Sequence, residues 1–177
     1  VADLRQDLLD TVAALWRDKG WAGLQLPLDV RNAESCRAVA AATDKAFGRI
    51  DILVNNVGIE VRGGVVDMAE ADWDRVHDVN LKSVFLACKE VVPLMARQGG
   101  GVILNVSSTA SLRWTTVEYV SYSSSKAALN HLTRVLARQH AAQQIRVNAI
   151  LPGMIDTPHI RTLFRDKTPA EFDAILA

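Results

Sequence analysis

Tyr122 and Lys126 stand four residues apart in Ser121-Tyr-Ser-Ser-Ser-Lys126, at the front of an apolar-periodic run over residues 127–142. That periodicity predicts a helix, and on a helix side chains at i and i+4 share a face, so the phenol and the ammonium come within reach of each other. The chemistry such a pair offers is proton transfer. An isolated tyrosine titrates near pH 10, so working near neutrality needs a shift of roughly three units, about 4 kcal/mol. A neighbouring cation moves the phenol in that direction by favouring its ionised form. Tyr-x-x-x-Lys by itself also describes an ordinary solvated helical pair; its weight comes from the residues around it.

Those residues follow one another in order. Asn55-Asn-Val-Gly58 closes the apolar run 50–54, which reads as a buried parallel strand ending in a tight turn. Asn80 falls inside a helical pattern over 71–97, where an asparagine is unfavourable because its side chain competes for backbone hydrogen bonds. Ser107 and Ser108 end a second apolar strand, 101–106, and a third, 145–151, stops at Pro152-Gly153 with Thr157 beyond it.

The elements that must position these groups alternate. A strand stub at 1–3 leads to a helix over 6–19 ended by Gly20, then to a strand over 22–28 running into Asp29. Asn32 caps a helix to Phe47, with Gly48 as its stop. A loop over 59–69 containing Gly63 and Gly64 precedes the helix over 71–97, whose last turns Pro93 is expected to bend. After Gly99-Gly-Gly101 and the second strand come the Tyr122 helix, the third strand and a helical, irregular tail over 157–177. Strands alternating with helices of this length predict right-handed crossovers, hence an α/β, doubly wound parallel sheet of Rossmann-like type in one domain, 1–177. A Gly-rich turn between a strand and a helix, the usual phosphate cradle, is not among these elements. In the strand order 3-2-1-4-5-6 of such sheets the central strand would lie between the stub at Val1 and the strand at Ile50. The sheet is therefore expected to be incomplete, with open edges there.

Composition sets few limits. The chain has 177 residues, 49% hydrophobic and 23% charged, with 20 Lys plus Arg against 20 Asp plus Glu, as in an ordinary globular domain with one substantial core. No basic excess points to nucleic acid. No apolar stretch has membrane-spanning length and no leader opens the chain, so no membrane partner and a cytoplasmic location are expected. Cys36 and Cys88 fall in helical patterns without a second ligand, as reduced thiols do. His77, His131, His140 and His159 show no metal spacing, and no metal site is expected.

Taken together, Asn55-Asn-Val-Gly58, Asn80, Ser108, the Tyr122/Lys126 pair and Arg146-Val-Asn-Ala-Ile-Leu-Pro-Gly153 resemble the short-chain dehydrogenase/reductase family, over essentially the whole chain. The resemblance implies hydride transfer between a nicotinamide cofactor and an alcohol or ketone. It implies Tyr122 as general acid/base, Lys126 lowering its pKa and binding the nicotinamide ribose, and Ser108 orienting the substrate oxygen, with Ser107 as the fallback. Asn80 would hold a helix irregularity and a water leading to the lysine. For the cofactor, Asp29 matches the acid that contacts the adenine amino group and Val30 packs by the ring. Asn55, Val57 and Gly58 match the turn beneath the adenosine ribose, with Val57 replacing the commoner Ala. Pro152, Gly153, Ile155 and Thr157 match the segment along the nicotinamide, Thr157 placed for the carboxamide or a phosphate. Asp3, in the stub that matches the end of the family's second strand, would accept from ribose hydroxyls and repel a 2′-phosphate, which favours NAD over NADP; Arg5 could instead pair with that phosphate.

Compared with the family, the chain looks like an internal fragment that starts at the end of the second strand and stops before the last. Weak cofactor binding and low stability are expected of this span alone. Loops 109–120 and 154–164 would wall the pocket, and Trp114, Val117, Met154, Ile160 and Leu163 would make it largely apolar. An apolar wall admits many alcohols and ketones. The helices over 71–97 and 122–142 match those the family uses for homodimers and homotetramers. A competing reading, suggested by the missing phosphate turn, is a catalytically silent interaction or assembly subunit on the same fold; the intact Ser108, Tyr122, Lys126 and Asn80 argue against it. A nucleotide-sugar epimerase would share Tyr and Lys, but is disfavoured by Asn-Asn-x-Gly and by Pro152-Gly153.

Overall fold

Gly20 and Gly48 stop the first two helices because each adopts the left-handed conformation that L side chains resist, at φ 67° and 74°. The computed structural model describes residues 1–114 and 117–176, the side chains of His159, Leu163 and residues 173–176 excepted. In it α1 covers Gln6–Lys19 and α2 Ala33–Phe47, and the Asn32 side chain accepts from the Glu34 and Ser35 N–H groups as the α2 cap. The strands are β1 (Ala2–Asp3), β2 (Leu26–Pro27), β3 (Ile52–Asn55), β4 (Gly101–Val106) and β5 (Ile145–Ile150). The other helices are α3 (Glu70–His77), α4 (Ser83–Arg97), α5 (Val120–His140), α6 (Pro158–Leu163) and α7 (Pro169–Leu176).

Every strand pair is parallel, as alternation with helices requires: β1 pairs with β2, and β4 lies between β3 and β5. Ile103 is the centre of this register, opposite Leu53 on one side and Val147 on the other. It packs with Met95 of α4, Leu129 of α5 and Ile145 of β5, all essentially sealed from solvent. Each such side chain contributes roughly 1.5–3 kcal/mol on burial.

One expectation needs correction. The strand expected over 22–28 is only Leu26–Pro27, which pairs with Ala2 and Asp3 of β1. The helix expected over 71–97 runs through a π-helical turn, Asp78–Lys82, between α3 and α4, and this is the irregularity that the resemblance implied at Asn80. Asn80 in that turn is swung inward and bonded to the distant backbone of Ile59, a demand local periodicity cannot report. Pro93 lies inside α4, which ends at Arg97 as expected.

The sheet is partial, as expected. Between the β1–β2 pair and β3 lies a groove of about 690 Å³, lined by Trp16, Leu24, Leu26, Ile52 and Val54 among others. Ile52 and Val54, on the β3 edge facing it, are 63% and 53% exposed. Among the described residues no helix is long and apolar enough to cross a membrane.

Candidate active site

Four chain segments converge at the carboxyl ends of β3, β4 and β5: the turn after β3, the serines after β4, the start of α5, and the Pro152 segment. Strand alternation sorts the serines. Ser107 is buried, its hydroxyl donating to the Lys126 carbonyl oxygen at 3.2 Å. Ser108, extended at φ −163° and ψ 152°, points the other way. Its Oγ accepts from the Ala110 N–H at 3.1 Å and lies within hydrogen-bonding reach of Tyr122.

Lys126 is only 3% exposed, and its Nζ donates to the Val106 carbonyl oxygen at 2.7 Å and sits 5.8 Å from the centre of the Tyr122 ring. Burial pushes its pKa down to about 8. Tyr122 departs from the lowering expected of a lysine neighbour. Burial raises its pKa first, the Ser108 hydrogen bond pulls it back, and the charges of Glu60 and Tyr119 push it up again. The ammonium is turned to the Val106 carbonyl, so phenol and amine share a face without a direct bond.

Asn80, 1% exposed, joins three elements. Its Oδ1 accepts from the Ile59 N–H at 2.8 Å, and its Nδ2 donates to the Ile59 carbonyl at 2.9 Å and to Ser125 Oγ at 3.1 Å. Ser125 in turn donates to the Tyr122 carbonyl at 2.8 Å. Gly58 packs against this cluster: a Cβ there would stand 3.2 Å from Lys126 Nζ, tighter than ordinary contact, and 3.5 Å from Asn80 Oδ1. Asn55 is fixed from below, donating to Asn105 Oδ1 at 2.9 Å, while Asn105 donates to Thr133 Oγ1 at 2.8 Å. Thus Asn55, Gly58, Asn80, Ser108, Tyr122 and Lys126 come together in one place.

The remaining candidates end or follow the strands β1, β2, β3 and β5. Asp3 ends β1, its Oδ1 accepting the Arg5 N–H at 2.9 Å, while the Arg5 guanidinium is paired with Asp7. Asp29 is held by Arg31, whose backbone N–H and guanidinium keep the carboxyl below its usual range. Val30 accepts a weak bond from Cys36 Sγ at 3.7 Å, and Val57 is exposed. Pro152 accepts the Thr109 N–H at 3.1 Å, Gly153 and Ile155 are exposed, and Thr157 Oγ1 caps α6 through the Ile160 N–H at 3.2 Å. Of the expected apolar wall, Trp114 and Met154 are exposed, Val117 and Ile160 half-buried; the Leu163 side chain, with Thr115 and Thr116, lies outside the described residues.

One wall is polar, which sequence reasoning missed. The Tyr119 hydroxyl donates to Glu60 Oε1 at 3.2 Å and accepts from Arg62 Nε at 3.4 Å, and the Tyr119 ring meets the Tyr122 ring edge-on at 5.9 Å. The signal was present in the chain. Glu60 and Arg62 alternate directly after the Gly58 turn, and Tyr119 precedes Tyr122 by one helical turn.

A family profile described as Enoyl-(Acyl carrier protein) reductase matches residues 1–174. The 2-(R)-hydroxypropyl-CoM dehydrogenase of Xanthobacter autotrophicus is 38% identical over 97% of this chain and 69% of its own length. A crystal structure assigned to the short-chain dehydrogenases/reductases from Burkholderia xenovorans superposes with a TM-score of 0.90 at 36% identity, covering 99% of this chain and 66% of that one. The NAD+-bound xylitol dehydrogenase superposes at 0.85 with 31% identity, covering 90% of this chain and 61% of that one. Across such curated relatives the chain spans roughly half to two thirds of their length.

Proposed function

Because this chain belongs to the short-chain dehydrogenase/reductase family, we propose that it is a nicotinamide-dependent oxidoreductase acting on a small-molecule alcohol or ketone, with Tyr122 as general acid/base. A bound nicotinamide would supply or accept the hydride. The residues present fit such a cofactor, since Gly58 leaves a cradle against Lys126 that a Cβ would fill, at the strand ends where such sheets take ligands.

The protein's share is proton handling and orientation. The Tyr122 hydroxyl donates its proton to a carbonyl oxygen as that oxygen gains charge, and in the reverse direction takes the proton from the alcohol. Burial opposes ionisation of this phenol, so Tyr122 rests in its proton-donating form. Ser108 bonds the same substrate oxygen. Lys126 gives one of its three N–H donors to Val106, and the others would hold the ribose hydroxyls of a bound cofactor. Asn80 fixes the Gly58 turn and the start of α5 relative to each other.

Asn55, Val57 and Gly58 bear on the adenosine ribose, and Val30 packs beside the adenine. Asp29, whose oxygens keep lone pairs beyond those used by Arg31, accepts the adenine amino group. Pro152, Gly153, Ile155 and Thr157 line the nicotinamide, the Thr157 hydroxyl donating while its oxygen caps α6. Asp3 takes the ribose hydroxyls and favours NAD over NADP. Arg5, engaged by Asp7, is drawn away from a 2′-phosphate. We place the protein in the cytoplasm as one domain that forms homodimers or homotetramers through α3, α4 and α5.

The observation that carries this reading is a lysine buried beside the ring of a tyrosine whose hydroxyl reaches Ser108. Fluorescence titration with NADH and turnover of an alcohol and ketone panel test it on the whole protein that carries this chain. Tyr122→Phe should still bind NADH and lose roughly 10²–10⁴-fold in kcat. A Phe variant that turns over like the wild type refutes the assigned role, and absence of NADH binding refutes the oxidoreductase.

A further inference from the structure

We propose that Asn130 is a positioning residue for this site: through Ser111 it holds the short turn after β4 against α5, and so fixes where the Ser108 hydroxyl meets Tyr122 and the substrate oxygen. This rests on the hydride-transfer reading above and extends its machinery to a residue that touches neither substrate nor cofactor.

Ser108 lies beyond the support of its strand. β4 ends at Val106, and Ser108 opens a single 3-10 turn, Thr109–Ser111, of a kind whose own hydrogen bonds are poorly aligned. The Ser108 carbonyl closes that turn, accepting the Ser111 N–H at 3.1 Å and the Ser111 hydroxyl at 2.5 Å. Ser111 has one hydroxyl hydrogen, and this bond uses it. Its oxygen is left to accept, and Asn130 Nδ2 donates to it at 2.7 Å. The NH2 end of the amide is therefore the end that faces the serine.

Asn130 stands four residues beyond Lys126 and eight beyond Tyr122, so the three side chains follow one another along one stripe of α5. The segment that carries Ser108 is tied to this stripe on both sides. Ser107 donates to the Lys126 carbonyl at 3.2 Å, and Ser111 accepts from Asn130 at 2.7 Å. Between the two tethers the Ser108 hydroxyl is held relative to Tyr122 by the helix that bears Tyr122, not by a loop alone.

Packing alone does not account for an asparagine at this place. Its Oδ1 is sealed from solvent and, among the described residues, meets no donor. A buried acceptor without a partner destabilises, and leucine, of the same branched shape, would carry none. The amide earns its position only through its other end, at Ser111.

A double-mutant cycle on turnover by the whole protein tests this, Asn130→Leu against Ser108→Ala. Alone, Asn130→Leu should lower kcat about tenfold, a smaller loss than the roughly 10²-fold of a 1 Å misplacement, with NADH affinity unchanged in titration. In the Ser108→Ala background no hydroxyl is left to position, and adding Asn130→Leu should change kcat less than about twofold. Ser111→Ala removes the other half of the contact and takes the place of Asn130→Leu in the cycle where the leucine variant does not fold. Where Ser108→Ala is too slow to compare, the pH profile of alcohol oxidation decides. The Ser108 bond holds the Tyr122 phenol down, so its loss in Asn130→Leu should move the rising limb to higher pH. A kcat loss of the same factor in both backgrounds, a wild-type kcat in both Asn130→Leu and Ser111→Ala, or an unmoved rising limb overturns this inference and leaves the hydride-transfer reading standing. A wild-type protein that binds no NADH and oxidises no alcohol overturns both.

Discussion

Lys126 should weaken the fold it serves, and replacing it by methionine measures by how much. Its ammonium is sealed from solvent, and burial pushes its pKa from 10.5 down to about 8. At 1.36 kcal/mol per pKa unit, holding the charged form costs the folded state about 3 kcal/mol. The sign follows from the depressed value of a cationic group. Below pH 8 both states carry the proton and the cost is paid in full; between about 8 and 10.5 the unfolded chain keeps a proton that the folded chain has released, so stability rises with pH. Methionine keeps the length and removes the charge, at the loss of the Val106 hydrogen bond, worth about 1 kcal/mol. Lys126→Met should therefore be more stable than the wild type by about 2 kcal/mol at pH 7 and less stable by about 1 kcal/mol near pH 10.5. Urea unfolding followed by circular dichroism in half-unit pH steps gives both curves, and subtracting them cancels the other titrating groups. A difference that stays flat from pH 7 to 10.5, or that grows with pH in the variant's favour, refutes the assignment of Lys126 as a buried charge. Loss of turnover in the same variant would show why a destabilising group is kept.

Other outcomes follow from the same geometry. Gly58→Ala puts a methyl 3.2 Å from Lys126 Nζ, so kcat/KM should fall about tenfold while the melting temperature changes little; a loss of stability without a loss of rate would contradict the close approach. Asn80→Ala leaves the Ile59 N–H and carbonyl unpaired, at about 1–3 kcal/mol each, and thermal unfolding should show a Tm lower by roughly 5–10 °C. Leu129→Ala opens a cavity beneath α5 and should cost about 2–5 kcal/mol in chemical denaturation. Asp3→Ala should lower the NAD over NADP ratio of kcat/KM about tenfold, and an unchanged ratio would count against its role at the ribose.

Much of the frame was legible because its signals are local. Asn32 and Gly48 bracket α2 through contacts made within a turn of each end, and Gly20 does the same for α1. The parallel sheet followed from alternation, and Asn55, Gly58, Asn80, Ser108, Tyr122 and Lys126 could be named as a set because in this order they resemble the motifs of a known family. The edges of that reading failed where a partner elsewhere decides. A seven-residue strand pattern yields a two-residue β2, since a strand extends only where a partner pairs with it.

The amino-acid order by itself determined which segments are helix and strand and which side chains could do acid–base chemistry, since periodicity and capping act over a few neighbouring residues. Tertiary structure decided the rest. It bonded Asn80 of the π turn to Ile59, turned Ser108 rather than Ser107 toward Tyr122, and set burial above the lysine in tuning the phenol. It also brought Glu60 and Arg62 onto Tyr119, 59 and 57 residues along the chain. Each of these depends on groups far apart in sequence whose hydrogen bonds and desolvation exist only once the chain has folded.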